Sequence, residues 1–377
     1  MSRIRIMIAS LLAALAAAAA AHAQPMASGD QPDMTLDAST RAAVIESLAV
    51  AVTDHYVFPD LAKTVAKDLR QRLRRREYDS ITSAKEFADS LTAHLQVITR
   101  DLHLRAHYRH EAIPTELRAD GPPPPEELRR MREAGRVRNH GFEKIERLAG
   151  NVGYLELLMF SGDPDAQATA IATMNFLGNV DALIVDLRRN GGGSPAMIQT
   201  LLTYLIAPED RLLFNTFFRR GEERIEQWHT AAHVPGRRLN GKPLYVLISS
   251  RTGSAAEEFA YDVQTHELGT LVGTTTAGAA NPGGFFRLND HFGAFIATGR
   301  AINPVTNTNW EGVGVKPDVD VAPESALREA HVMALQKRIE EADDDAERAA
   351  LNAALERARE RKDEAPEDFV RRSRRRS

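Results

Sequence analysis

The chain has 377 residues, 43% of them apolar and 27% charged, with a formal net charge of −4. That composition fits a globular protein with a substantial core, and the length allows one large domain or two to three smaller ones. There is no cysteine, which excludes disulfides, thiolate zinc sites, iron–sulfur clusters and a cysteine nucleophile, and a mildly acidic chain has no global charge reason to bind nucleic acid.

Residues 1–23 read as a secretory leader, with Arg3 and Arg5, an alanine- and leucine-rich run, and a small-residue cleavage site ending at Ala23. The run is shorter than the roughly 20 residues a membrane span needs. Cleavage would leave no stable membrane anchor, and no cysteine follows to carry a lipid. The mature chain is expected to be periplasmic or secreted. Residues 24–37 are polar with scattered proline and read as a disordered linker.

Residues 38–108 read as a helical N-terminal domain of three helices that ends in a strand. The second helix opens with Pro59, and Ser83 with Glu86 forms a capping-box pattern before the third. "TRDLHLRAHYRH" alternates as a strand does. Residues 109–148, proline-rich and charged, read as a connector with one short helix and not as a packed domain. From 149 to 322, strand-like runs alternate with helical ones, the pattern of an α/β core with crossover connections. "DALIVDLRRN" and "PLYVLISS" are apolar throughout and read as buried strands. Residues 323–377 read as a charged, solvated helical tail with a basic end.

Ser254, in "SSRTGSAAEEFA", stands where a strand turns sharply into a helix. It reads either as a helix cap or as a nucleophile at the carboxyl end of a sheet. The N–H of Ala255, at the helix start, could donate to a developing oxyanion. "DLRRNGGGSP" puts three glycines after a buried strand and lacks the phosphate-loop pattern G-x-x-x-x-G-K. It reads as a turn, or as a second oxyanion donor through Gly191 or Gly192. A serine nucleophile needs a base, and the twelve histidines do not identify it. "HTAAH" (His229, His233) and "HLRAH" (His103, His107) have i, i+4 spacing but lack the glutamate of H-E-x-x-H, so no metal site is expected.

Taken together and in order, "DHYVFPD", "DLHLRAHY", "VGYLELLMF", "VDLRRNGGGS", "ISSRTGSAAEEFAY", "TTAGAANPGG" and "NWEGVGVKPDV" resemble one family over about residues 40–322. It is the carboxyl-terminal processing and tricorn-core serine peptidase family, in the branch similar to the interphotoreceptor retinoid-binding protein modules. The resemblance implies a crotonase-like spiral α/β core with an N-terminal helical domain. Processing peptidases of this family use a serine–lysine dyad, but the stretch "LVGTTTAGAANPGG" after the serine helix contains no lysine. Tricorn-like members use a histidine from a D-x-H-like motif and a late glutamate. The resemblance therefore implies Ser254 as nucleophile, His103 as general base, Glu311 as its orienting carboxylate, and Gly192 (or Gly191) with Ala255 as oxyanion donors. Leu102 stands where tricorn has a serine, so Glu311 would reach the imidazole without a hydroxyl relay. Asn281 stands where relatives often carry histidine. No peptide-binding PDZ domain is evident.

The implied function is an exported serine peptidase that hydrolyses extended or unfolded protein substrates through an acyl-enzyme. No cofactor or metal is called for, and the oligomeric state is left open. The alternative is a non-catalytic module that binds a hydrophobic ligand such as a fatty acid or retinoid.

Overall fold

The computed structural model describes residues 31–115, 124–222 and 225–365. Residues 1–23, expected to be a leader, residues 24–30 and the residues from 366 lie outside the described residues. Residues 31–37, expected to belong to a disordered linker, are docked. Leu36 is buried, its N–H donates to Thr82 O at 2.8 Å, and Gln31 donates to Tyr108 O at 2.8 Å. One apolar side chain in a polar stretch is enough to anchor it.

Three helices follow: α1 (Ala38–His55), α2 (Pro59–Arg74) and α3 (Ala84–Thr99). Asp37 caps α1 through Thr40 N at 2.7 Å. Ser83 caps α3 through Glu86 N at 3.0 Å, as the capping pattern predicts. Strand β1 (Arg105–Tyr108) closes the segment.

Residues Pro125–Val137 form the connector's short helix, α4, which buries no side chain. The rest of the connector is not free. Strand β2 (Phe142–Leu148) joins the central sheet, so the sheet begins before residue 149. Its charges, at Glu143, Lys144, Glu146 and Arg147, fall on both faces, and only Phe142 and Leu148 at its ends are buried, which hid it among the polar residues.

The central sheet continues with β3 (Val152–Leu157) and β4 (Ala182–Asp186). A second sheet starts with β5 (Leu213–Arg219) and β6 (Glu226–His229). Then come β7 (Leu244–Ile248) and β8 (Thr270–Gly273), a hairpin of β9 (Gly283–Arg287) and β10 (Phe292–Ala297), then β11 (Gly299–Ile302) and β12 (Val319–Asp320). The central order is β12-β8-β7-β4-β3-β2, parallel except for β2. Helices α5 (Ala166–Phe176), α6 (Pro195–Leu205) and α7 (Ala255–Thr265) cover one face, against Leu155, Val185 and Val246. The fold is mixed α/β, as the alternation of elements predicts.

The opposite sheet face, with Tyr154, Ile184 and Leu247, packs on α8 (Ala326–Glu341) through Leu327, Ala330 and Ala334. The first tail helix is therefore part of the core and not a solvated appendage. A parallel sheet needs cover on both faces, and here small alanines let the helix approach. Helix α9 (Asp345–Arg359) packs on α8 through Leu351 and Leu355.

The β9–β10 hairpin leaves the central sheet and pairs with β1 in the order β1-β10-β9. Phe292, Ala294 and Ile296 fill the core of the N-terminal helices. Phe292 packs edge-on against Phe87 and is fully buried. Phe292→Ala is expected to cost about 3–5 kcal/mol, seen as a lower denaturant midpoint at unchanged slope. A loss under about 1 kcal/mol would mean that the hairpin does not complete that core.

Candidate active site

Ser254 ends the turn after β7 and begins α7, with φ 54° and ψ −124°. A non-glycine residue at positive φ stores roughly 1–3 kcal/mol of strain and persists only where its surroundings hold it. Three contacts tie this turn to the glycine loop after β4. Ser249 Oγ donates to Arg188 O at 2.6 Å, Thr252 Oγ1 to Leu187 O at 2.8 Å, and Gly253 N to Asn190 O at 3.0 Å. The fourth hold is Glu257, fully buried one turn into α7. Its Oε2 accepts the N–H of Ser254 at 2.8 Å and of Ala279 at 2.9 Å. Its Oε1 accepts Thr276 Oγ1 at 2.6 Å and Gly278 N at 2.5 Å.

The glycine loop packs directly against the serine. A Cβ on Gly192, whose φ is +113°, would sit 2.7 Å from Ser254 Cβ and 2.8 Å from Gly253 O. Only glycine fits there. The Gly192 N–H already donates to Asn190 Oδ1 at 2.8 Å, which corrects its expected role as an oxyanion donor. Gly191 does not line the cleft beside Ser254, whereas Gly193 and Ala255 do. Neither the Gly193 nor the Ala255 N–H has a partner among the described residues. The run of three glycines lies against Ser254, and the sequence could not say which of its N–H groups was already in use.

His103 precedes β1 and lines the same cleft as Ser254, which has about 100 Å³ of free volume. Asp101 shapes its backbone, with Oδ1 accepting His103 N at 2.9 Å and Leu104 N at 3.3 Å. The ring lies 5.5 Å from that of Phe295 on β10. Burial pushes the imidazole pKa below its ordinary 6.5, with Asp101 opposing. Glu311 reaches the same place from the loop before β12. Its Oε2 accepts Ala280 N at 2.6 Å and Asn281 N at 2.9 Å, while Oε1 is buried on the side of Asp101 and His103. Burial, with the nearby Asp101 carboxyl, pushes Glu311 up to about 8.

Asp101, His103 and Glu311 offer side-chain atoms within 4.8 Å of one another. Asp101 Oδ2 and His103 Nδ1 are buried and lack partners among the described residues. The sequence reading overlooked Asp101, although the D-x-H spacing was its signal. The trio is also the one His/Asp/Glu donor cluster of metal-binding size among the described residues. Asn281 contributes its backbone N–H to Glu311, and its side chain lies 3.5 Å from Asn309 Nδ2.

Comparison with known proteins follows the same two stretches. Residues 35–134 match a model described as the N-terminal domain of peptidase S41 in eukaryotic IRBP, and residues 151–321 match peptidase family S41. A carboxy-terminal-processing protease of Bartonella bacilliformis is 27% identical over 181 residues, 46% of this chain and 40% of that protein. A carboxyl-terminal-processing protease of Synechocystis is 29% identical over 170 residues, 45% of this chain and 37% of that one. The chain thus spans well under half the length of these relatives. A solved structure from Parabacteroides merdae aligns with TM-score 0.52 and 18% identity, covering 75% of this chain and 90% of that one, a likeness of fold. With one family model on the helical segment and another on the sheet and its site, the chain belongs to peptidase family S41.

Proposed function

We propose that this chain is an exported serine peptidase that cleaves extended or unfolded protein segments through an acyl-enzyme, on a core of the crotonase-like kind. The observation that carries the reading is Ser254, held at positive φ at a helix N-terminus in a cleft it shares with His103. This is the strand-to-helix elbow that exposes a nucleophilic oxygen. Ser254 Oγ attacks the scissile carbonyl carbon as His103 takes the hydroxyl proton. The tetrahedral oxyanion is met by the Gly193 and Ala255 N–H groups. His103 then gives its proton to the leaving amine and, in the second half, takes one from the water that hydrolyses the ester. Glu311 and Asp101 act as positioning residues that orient the imidazole. Export rests on the leader reading of residues 1–23. Among the described residues no helix is long and apolar enough to cross a membrane.

The hydrophobic-ligand reading finds no support in the geometry. The cleft's free volume of about 100 Å³ is well below the roughly 300–1,000 Å³ of ordinary small-molecule pockets, and strain at Ser254 serves no purpose in a passive pocket.

A fluorophosphonate probe should form one adduct, at Ser254, and Ser254→Ala and His103→Ala should both abolish it. Correctly folded wild-type protein that forms no adduct would overturn the peptidase reading. On a peptide substrate, Ser254→Ala is expected to lower kcat by about 10⁶-fold.

Because burial lowers the His103 pKa, the base is already neutral at pH 7. The rising limb of kcat/KM against pH should have its midpoint below 6.5, the group's ordinary value. A midpoint at or above that value would contradict a buried base.

Glu257→Gln keeps the shape but turns an amide toward groups that all donate. Each donor left without an acceptor costs roughly 1–3 kcal/mol. The expected result is a lower melting temperature together with a kcat loss of at least about tenfold, since the Ser254 turn and the loop carrying Ala280 loosen together. Unchanged kcat would show that the turn holds itself.

A further inference from the structure

Glu258 stands apart from the other buried carboxylates near the site. Asp186 and Glu156 face Arg188 and Arg189, and Glu257 has its four donors. Glu258 is only 5% exposed, yet its side chain lines the cleft. It lies one turn along α7 from the nucleophile, its N–H donating to Ser254 O at 2.9 Å. Its carboxyl takes one hydrogen bond, Asn215 Nδ2 to Oε1 at 2.7 Å. Asn215 is locked, because its Oδ1 accepts Thr216 N at 2.7 Å and Ile302 N at 3.2 Å.

One further turn along α7, Asp262 is 1% exposed. Its Oδ1 accepts Asn303 Nδ2 at 3.1 Å, and its Oδ2 is buried with no partner among the described residues. No cation pairs with Glu258 or Asp262 among the described residues. Two carboxyl groups one helical turn apart thus sit beneath the cleft without a counter-charge, and one of them reaches the space where substrate must lie.

The cleft that Glu258 lines has aromatic walls from Phe217 on β5, Trp228 on β6 and Trp310, and Arg219 and Glu226 line it as well. Such a slot suits a long side chain with an apolar stem and a polar tip, and aromatic faces also attract a cation. The charged groups facing Glu258 from other elements do not cancel it. Arg219 on β5 is paired with Glu226 on β6 at 3.5 Å, and His103 is held neutral by burial.

We propose that Glu258 is the specificity-determining residue of this site, and that it selects a lysine or arginine side chain on the residue supplying the attacked carbonyl, the P1 residue. The proposal rests on the peptidase reading. Without substrate, a buried charge lacking a partner is costly, and the pair lowers that cost by holding protons. Burial pushes Glu258 up to about 7 and holds Asp262 well above the usual carboxylate range, with Glu258's charge adding to the shift at Asp262. A cationic P1 side chain supplies the missing charge. Glu258 then ionises and releases one proton to solvent.

The sign follows from the raised value. Below about pH 7 Glu258 is neutral and the cationic side chain has little advantage. Above it the carboxylate is present and the advantage is full.

The test uses the full exported chain and matched fluorogenic peptides that differ only at P1: lysine, arginine, norleucine or glutamate. The ratio of kcat/KM for lysine to that for norleucine is read from about pH 5.5 to 8.5, where the His103 titration common to both substrates cancels. In the native chain the ratio should exceed one and rise about tenfold through pH 7, the size of one pK unit of differential interaction. In Glu258→Gln it should fall by at least that factor and lose its pH dependence. Since the ratio is read within each variant, a general loss of activity does not affect it. Asp262→Asn provides a second variant if Glu258→Gln does not fold. It keeps Glu258, whose raised value comes from its own burial, so the ratio should persist with its midpoint still near pH 7, and loss of the ratio would assign the selection to Asp262 instead. A native preference for norleucine at every pH, or a ratio unaltered in Glu258→Gln, would overturn the assignment while leaving the peptidase intact. Failure to cleave any peptide, together with no fluorophosphonate adduct, would remove the peptidase reading itself and this proposal with it.

Discussion

The buried carboxylate of Glu257 is the constraint on which the rest of the site depends. Its four partners are the N–H of Ser254 and three donors from the loop at Thr276, Gly278 and Ala279. Burial raises its pKa while these bonds oppose the rise, and only the ionised form can accept all four. The same loop continues into Ala280 and Asn281, whose N–H groups hold Glu311, and Glu311 lies beside His103. One carboxylate therefore fixes the strained turn of the nucleophile and, through a few residues of backbone, the position of the base's partner. Hydrogen bonds to a charged group are each worth about 1.5–3 kcal/mol, enough together to hold a residue at φ 54°.

The glycine loop is shaped from the other side by pairs of opposite charge. Arg188, fully buried, meets Asp186 at 2.5 Å and Glu364 of the tail at 2.5 Å. Arg189 meets Glu156 at the end of β3. Asn190 then donates to Leu157 O at 3.0 Å and accepts Gly192 N, leaving the next N–H, that of Gly193, to face the cleft. Buried ion pairs add little net stability. Here they set the direction of a loop. Glu258 and Asp262, by contrast, meet no cation among the described residues and rest on the amides of Asn215 and Asn303.

Legibility in the sequence followed periodicity and capping chemistry. The helices α1 to α3 were readable because apolar spacing and the Ser83 cap both act within a few residues. The buried strands β4 and β7 were readable as unbroken apolar runs. Strand β2 was not, since only Phe142 and Leu148 at its ends are buried and the charges between them resemble a connector. The packing of α8 was equally hidden. Its charged, alanine-rich sequence reads as solvated until the sheet supplies a face that small side chains can approach. At the site, residue types pointed to Ser254, and family resemblance supplied His103 and Glu311. The choice among three glycine N–H groups, the contribution of Asp101 and the position of Glu258 under the cleft all depend on contacts between distant segments, which local pattern does not carry.

The placing of His103 beside the Ser254 cleft depends on the β9–β10 hairpin. Ser254 belongs to the central sheet and His103 to the segment that follows the N-terminal helices, and β10 is the strand that pairs with β1 across that boundary. Its alternation gives it two working faces. Phe292, Ala294 and Ile296 enter the helical core, while Phe295, opposite Arg105 in the ladder, faces the cleft and lies against the His103 ring. A slip of one residue would exchange these faces, exposing the core side chains and taking the aromatic wall away from the histidine. The register is pinned at the turn, where Asn289 Oδ1 accepts His291 N at 2.9 Å and Phe292 N at 2.7 Å. A polar side chain in a surface turn thus sets which face of β10 meets the base, and an apolar pattern chosen for packing also defines the geometry of the site.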